Sequence, residues 1–285
     1  MMKVSTSLNV LDLAIPKTEQ VKRAAAAGFQ SLDMNYWDHQ KEMVQIGWAE
    51  EEKWAQAIRA AADECGVRFT QMHGPVHGPT FTSVVLGLTL DSFVELAHRS
   101  LRTAAILGVP WVVFHPGNIS ADGGESYEET LKFNAAFYDR FKPVLEETGV
   151  GIALENMIAG PSRRYFSDPA QLAELIDALD HPLIGACWDT GHGHVSSFEQ
   201  GASIRLLGSR LKATHIQDND GVKDQHLLPY YGTINWAEVT AALKDVGYAG
   251  DFTYETHMSF RMLPDPLRDT KMKFALELGQ YVISQ

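Results

Sequence analysis

The chain has 285 residues, 45% of them hydrophobic and 21% charged, with a formal net charge of −12, a length and composition that support one large core and suit an α/β barrel. The charge disfavours a phosphate backbone as partner and sits better with neutral sugars or polyols. The most apolar run, Ala104 to Phe114, is short and broken by Pro110, so no membrane span of about 20 apolar residues is expected. In chain order, Lys3–Leu8 reads as a first strand, and the start of the chain lacks the basic, apolar and small-residue pattern of a signal peptide, so a cytoplasmic location is expected. Helix Thr18–Ala27, strand Ser31–Asn35, helix Glu50–Glu64 and strand Arg68–His73 follow, then helix Ser92–Leu107, strand Trp111–His115 and helix Tyr127–Glu147. The second half continues with strand Gly151–Glu155, helix Pro169–Leu179 and strands Ile184–Asp189 and Lys212–Ile216, and closes with helix Trp236–Val246, strand Phe252–Thr256 and helix Asp265–Val282.

Regular alternation of strand and helix implies parallel strands joined by right-handed crossovers. Gly28, Gly66, Gly108, Gly149 and Gly247 each follow a helical pattern, as left-handed caps do. No glycine-rich phosphate turn follows the first strand, where Ser5, Thr6 and Ser7 stand instead, so a single (β/α)8 barrel over residues 1–285 is preferred to an open doubly wound sheet. Cys65 and Cys187 lie too far apart to suggest a disulfide framework or a thiolate zinc site.

Metal-capable side chains recur at the last position of strand after strand: His73, His115, Glu155, Asp189, His215 and Glu255. In a parallel barrel those ends open onto one face, the face that carries active sites. Two positions earlier stand Ala153, Cys187, Ala213 and Thr253, which period-2 alternation places inward and one layer deeper, leaving room above them. Eight of the eleven histidines, His73, His77, His115, His192, His194, His215, His226 and His257, fall at strand ends or just after them. Glu155 and Asp189 are each also natural helix-capping residues. Together, however, two glutamates, an aspartate and a histidine converging at buried strand ends require a counter-cation, because buried like charges repel. The oxygen and imidazole donors of Glu155, Asp189, His215 and Glu255 suit Mn²⁺, Mg²⁺, Co²⁺ or Zn²⁺.

The motifs Met-His-Gly-Pro at 72–75, Phe-His-Pro-Gly at 114–117, Ala-Leu-Glu-Asn at 153–156 and Trp-Asp-Thr-Gly-His at 188–192 carry a resemblance. It continues through Thr-His-Ile-Gln-Asp-Asn at 214–219, Asp-Gln-His at 224–226, Gly-Thr-Ile-Asn-Trp at 232–236 and Tyr-Glu at 254–255. In these segments the chain resembles the xylose isomerase-like barrels, in particular the sugar phosphate isomerase/epimerase group. The resemblance implies one divalent metal ion, manganese before zinc, cobalt or magnesium, held by Glu155, Asp189, His215 and Glu255. It also implies that Glu155 and Glu255 move a proton on opposite faces of a cis-enediolate, with His73, His115, His192 and His226 contacting substrate. The epimerases also carry an arginine shortly after the ligand histidine, where this chain has Gly221, Val222 and Lys223. An inosose dehydratase-like enzyme would use the same enediolate and then expel a hydroxyl. The apurinic-endonuclease branch would use His73, His115, Glu155, Asp189, His192, His215, Asp224, His226 and Glu255 as nine ligands of up to three zinc ions, with Asp224 and His226 as additional ligands, but would need a basic DNA-facing rim. Tyr36, Trp37, Trp48, Phe81, Tyr230 and Tyr231 are candidate sugar-stacking residues, and Arg163 and Arg164 a candidate phosphate clamp. A homo-oligomer is a family-level expectation.

Overall fold

The computed structural model describes residues 2–78, 80–120, 124–160 and 164–285. Eight parallel strands form one sheet in the order β7-β6-β5-β4-β3-β2-β1-β8: β1 (Val4–Ser7), β2 (Ser31–Asn35), β3 (Arg68–His73), β4 (Trp111–Phe114), β5 (Gly151–Glu155), β6 (Ile184–Asp189), β7 (Leu211–His215) and β8 (Phe252–Tyr254). The ends meet where Ile216 N–H donates to Thr253 O at 2.8 Å and Glu255 N–H donates to Ile216 O at 3.0 Å. The chain is therefore a (β/α)8 barrel, with every strand within two residues of the range its pattern predicts.

Helices follow the predicted ranges with two informative departures. The expected helix Tyr127–Glu147 is two, Tyr127–Asp139 and Lys142–Thr148, because Pro143 has no N–H and its ring would clash with the carbonyl four residues back. Between β6 and β7 the chain forms Thr190–Val195 and Gln200–Leu207, each too short to display a helical repeat and each containing glycine. The glycines read as helix ends adopt positive φ, as at Gly66 (67°) and Gly108 (75°), where their N–H groups close the preceding turn. Among the described residues no helix is long and apolar enough to cross a membrane. Cys187 is buried, Cys65 half-buried, and both are free thiols.

Outward strand residues such as Leu32, Met72, Val112, Ile152, Leu154 and Trp188 join the helices in one continuous core. The barrel interior is different. Val113, Ala153, Cys187 and Ala213 form a separate apolar cluster, and strand register pairs Val113 with Ala153 and Cys187 with Ala213. Across the axis the interior is polar: Ser5, Ser7, Ser31, Asp33, Asn35, Gln71 and Thr253 are all buried, with Ser7 opposite Asp33 and Asp33 opposite Gln71 in register. Small side chains on one arc thus set the depth of the mouth above them, as alternation predicts for Ala153, Cys187 and Ala213.

Candidate metal centre

Ligand-capable atoms of Glu155, Asp189, His215 and Glu255 all lie within 4.8 Å of one another at the C-terminal mouth, and all four residues are buried. His215 Nδ1 stands 2.8 Å from Glu155 Oε1 and 3.5 Å from Glu255 Oε2. Asp189 does two jobs: Oδ1 accepts the His192 N–H at 2.7 Å, capping the turn that follows β6, while Oδ2 is buried without a hydrogen bond. An unpaired buried carboxylate oxygen is costly, and aimed among two glutamates and an imidazole it is a donor set that fits a divalent cation.

Around this centre the other predicted residues are all present. His115 Nε2 lies 3.0 Å from Glu155 Oε2, with His73 Nε2 3.8 Å from the same oxygen; the two imidazoles are 3.1 Å apart at Nε2. On the other side His226 Nε2 is 3.1 Å and His192 Nε2 3.6 Å from Asp224 Oδ2. The sets His73, His115, Glu155 and His192, Asp224, His226 are each compact enough to hold an ion of their own. The mouth itself is a cavity of about 300 Å³ lined by Trp37, His73, His115, Glu155, His192, Glu255 and their neighbours. A larger cavity, about 590 Å³, sits at the opposite mouth among Arg68, Trp111, Lys212 and Asp251, away from every histidine named above.

Without a cation the charges settle among themselves. Burial alone would raise the Glu155 carboxyl, but the His215 and His115 imidazoles outweigh it and hold Glu155 well below the usual carboxylate range. Burial pushes Glu255 up to about 7 against the opposing pull of His215 and His226. Burial would lower His192 and His226, yet Asp189 and Asp224 raise the first to about 10, and Glu255 and Asp224 raise the second to about 9. His73 is driven down to about 3 by burial and the neighbouring His115. One glutamate is thus firmly ionised while the other is poised near neutrality, although the two stand on the same barrel mouth.

Several residues that matter here were not among the predicted site. Asn156 holds Asp189 by both backbone groups, accepting its N–H at 2.6 Å and donating to its carbonyl at 3.0 Å, and its own carbonyl lies 2.9 Å from His192 Nδ1. Gln217 donates to Asp224 Oδ1 at 2.6 Å and accepts from His226 N–H at 3.1 Å. Both follow a ligand within two positions in the quoted motifs, which was the available signal. His257, packed on His226 with ring centroids 4.4 Å apart, also lines the mouth.

Of the aromatic candidates only Trp37 lines the cavity. Tyr36 is fully buried and donates to Glu51 at 2.9 Å, and Phe81 stacks on Phe137 with centroids 3.5 Å apart, so both pack the loops instead of facing a ligand. Trp48 opens the helix Trp48–Cys65, and Tyr230 and Tyr231 are exposed. Arg164 is exposed, and Arg163 lies outside the described residues.

Residues 21–274 match the family model described as xylose isomerase-like TIM barrel. The chain belongs to the xylose isomerase-like TIM barrel family. Within that family it is similar to a D-psicose 3-epimerase from Ruminiclostridium cellulolyticum, 29% identical over 113 residues that span 39% of this chain and 36% of that one. It is also similar to a probable endonuclease 4 from Methanoculleus marisnigri, 29% identical over 182 residues, 59% of this chain and 61% of that one. The chain spans about half the length of the curated relatives it matches. A solved D-tagatose 3-epimerase-like protein superimposes with a TM-score of 0.77 at 22% identity, covering 99% of this chain and 98% of that one. At that identity the superposition establishes the xylose isomerase-like fold.

Proposed function

We propose that this xylose isomerase-like barrel is a metal-dependent isomerase or epimerase of a small ketose or keto-polyol. The observation that carries the reading is the convergence of Glu155, Asp189, His215 and Glu255 at one buried point, with two glutamates from strands 5 and 8 able to face a bound sugar from different sides. A divalent cation held there supplies a Lewis acid that acidifies the carbon next to a carbonyl. Glu155 and Glu255, reaching the mouth from different sides, would take the proton from one face of that carbon and return one to the other face of the planar cis-enediolate. His73, His115, His192 and His226 line the approach and hydrogen-bond substrate hydroxyls. The mouth of about 300 Å³ suits a monosaccharide-sized ligand, and the epimerase relative supports the substrate class.

A second reading has its own observation. The flanking clusters His73, His115, Glu155 and His192, Asp224, His226 would allow three zinc ions, the arrangement that clamps both oxygens of a phosphodiester, and a probable endonuclease 4 is among the relatives. The net charge of −12 opposes a DNA partner, so the sugar reading is preferred. A keto-polyol dehydratase shares the first step and differs by releasing water.

The test is to load the protein with Mn²⁺, Co²⁺, Mg²⁺ or Zn²⁺, incubate it with a panel of ketoses and inososes in heavy water, and follow products by NMR. Deuterium entering beside the carbonyl together with a new epimer is the expected result. Deuterium with loss of water would assign the dehydratase. Full exchange by both Glu155→Gln and Glu255→Gln would remove the proposed proton pair.

A further inference from the structure

The cavity of about 590 Å³ at the N-terminal mouth of the strands has the size of a small-molecule site, and the proposed proton chemistry makes no use of it. Its inner end is formed by Gln71 and Thr253, each two residues before a residue of the metal-side mouth. Gln71 also makes a rung across the barrel axis: Nε2 donates to Thr214 O and Oε1 accepts the Thr214 N–H, both at 3.3 Å. The two cavities are therefore separate sites. Two glycines shape the wall of this one. A Cβ at Gly151 would overlap the Trp111 ring, and one at Gly185 would overlap Lys212 Cγ, so both side chains lie across strand starts that a larger residue would block. The Lys212 amine ends 5.8 Å from the Trp111 ring centroid.

Charge at this cavity runs against that of the whole chain. Three cations, Arg59, Arg68 and Lys212, line it against two carboxylates, Asp63 and Asp251, in a protein of net charge −12. Most of their donors are uncommitted. Arg59 gives Asp63 only its Nε, at 2.9 and 3.0 Å. Arg68, 61% exposed, stands 3.9 Å from Asp251, beyond hydrogen-bond reach. Lys212 rests over an indole ring. Two guanidinium groups and an ammonium around one cavity are the donor chemistry of a phosphate site. The acceptors complement them. Asp251 Oδ2 and Thr70 Oγ1, both of lining residues, are buried without hydrogen bonds. Arg68 is the group beside Asp251 Oδ2, so its movement onto an anion would release that oxygen to accept a hydroxyl.

We propose that this cavity is a second binding site, for a sugar-sized organic phosphate. The phosphate is held by Lys212, Arg68 and the terminal nitrogens of Arg59, the hydroxyls turn to Asp251 and Thr70, and the carbon skeleton lies against Trp111. The site owes nothing to the metal centre, so either reading can fail without the other.

The test is calorimetric titration of wild type, Lys212→Met and Arg68→Gln, each metal-stripped and metal-loaded, with a panel of pentose and hexose phosphates, inorganic phosphate and the unphosphorylated sugars. Saturable binding of a sugar phosphate that persists without metal and weakens roughly 10-fold or more in each variant is expected, the worth of one charge-assisted hydrogen bond. Binding that requires metal and survives both substitutions would place the ligand at the other mouth and overturn the proposal. So would the absence of binding across the panel, or inorganic phosphate or a plain sugar binding as tightly as the esters. Should a variant fail to fold, wild type alone decides: the Trp111 indole N–H resonance, assigned with Trp111→Phe, should shift along the titration, and a resonance that stays fixed while ligand binds overturns the proposal.

Discussion

The two arcs of the barrel interior make opposite use of the same strand geometry. Strands 5 to 8 bring Glu155, Asp189, His215 and Glu255 together, the first three above a floor of small side chains, Ala153, Cys187 and Ala213, so these groups have space above them. Strands 1 and 2 contribute none of the four, yet bury Asp33 and Asn35, and beside them the chain buries the pair Lys17 and Asp38, 3.8 Å apart with side chains 1% exposed. Asp33, Lys17 and Asp38 all keep charged atoms without hydrogen bonds. Charge is concentrated at the reactive arc for a ligand to neutralise, and at the opposite arc for the protein itself to balance. The lesson is that a buried charge in this fold is explained by what packs against it, as Asp38 does against Lys17, and not by its own element.

This contrast can be broken from either side. The largest effect is expected at the reactive arc: Glu155→Gln should lower proton exchange at the substrate carbon by roughly 10²- to 10⁴-fold, measured by deuterium incorporation, with the circular dichroism spectrum unchanged. Next, adding metal to stripped protein should raise the thermal midpoint, because the ion relieves repulsion among the converging carboxylates; at 100 times the dissociation constant linkage gives about 2.7 kcal/mol, a shift of roughly 4–5 °C at this chain length. Ala153→Leu should overpack the small floor and cost about 1–3 kcal/mol in a denaturant titration, while pressing on Glu155 and weakening metal binding.

The smallest effect belongs to the opposite arc. Lys17 is 3% exposed, and burial, partly offset by Asp38 and Asp33, lowers its pKa from 10.5 to about 8. The unfolded chain then binds more protons than the folded one between pH 8 and 10.5, so this lysine makes stability rise with pH across that window. Unfolding titrations at pH 8 and pH 10 should show a smaller rise in Lys17→Met than in wild type; an identical rise in both would remove Lys17 as its source.

The reactive arc was legible in the sequence because its signal is local. Strand ends are marked by the switch from apolar period-2 runs to helix-forming stretches, and His73, Glu155, Asp189 and His215 fall on those ends, so a parallel barrel brings them together by topology alone. The quoted motifs extended that reading to Asp224 and His226, both of which stand at the mouth. The opposite arc was not legible: Lys17 opens a helix and Asp38 follows a strand, and each reads as an ordinary surface charge until the first two β/α units pack. The aromatic candidates failed for a related reason. Tyr36 and Phe81 stand in segments that read as loops, but Glu51 and Phe137, distant in sequence, draw them into the core. The split at Pro143, by contrast, was available from the residue alone.

The most direct test of the account is the metal-to-protein ratio of the purified chain by elemental analysis, repeated for Asp189→Asn. One divalent ion per chain in wild type, lost or strongly weakened in the variant, is the predicted result. Three zinc ions per chain would contradict the single-ion centre and favour phosphodiester chemistry, and a chain that neither holds nor takes up metal would contradict the account altogether.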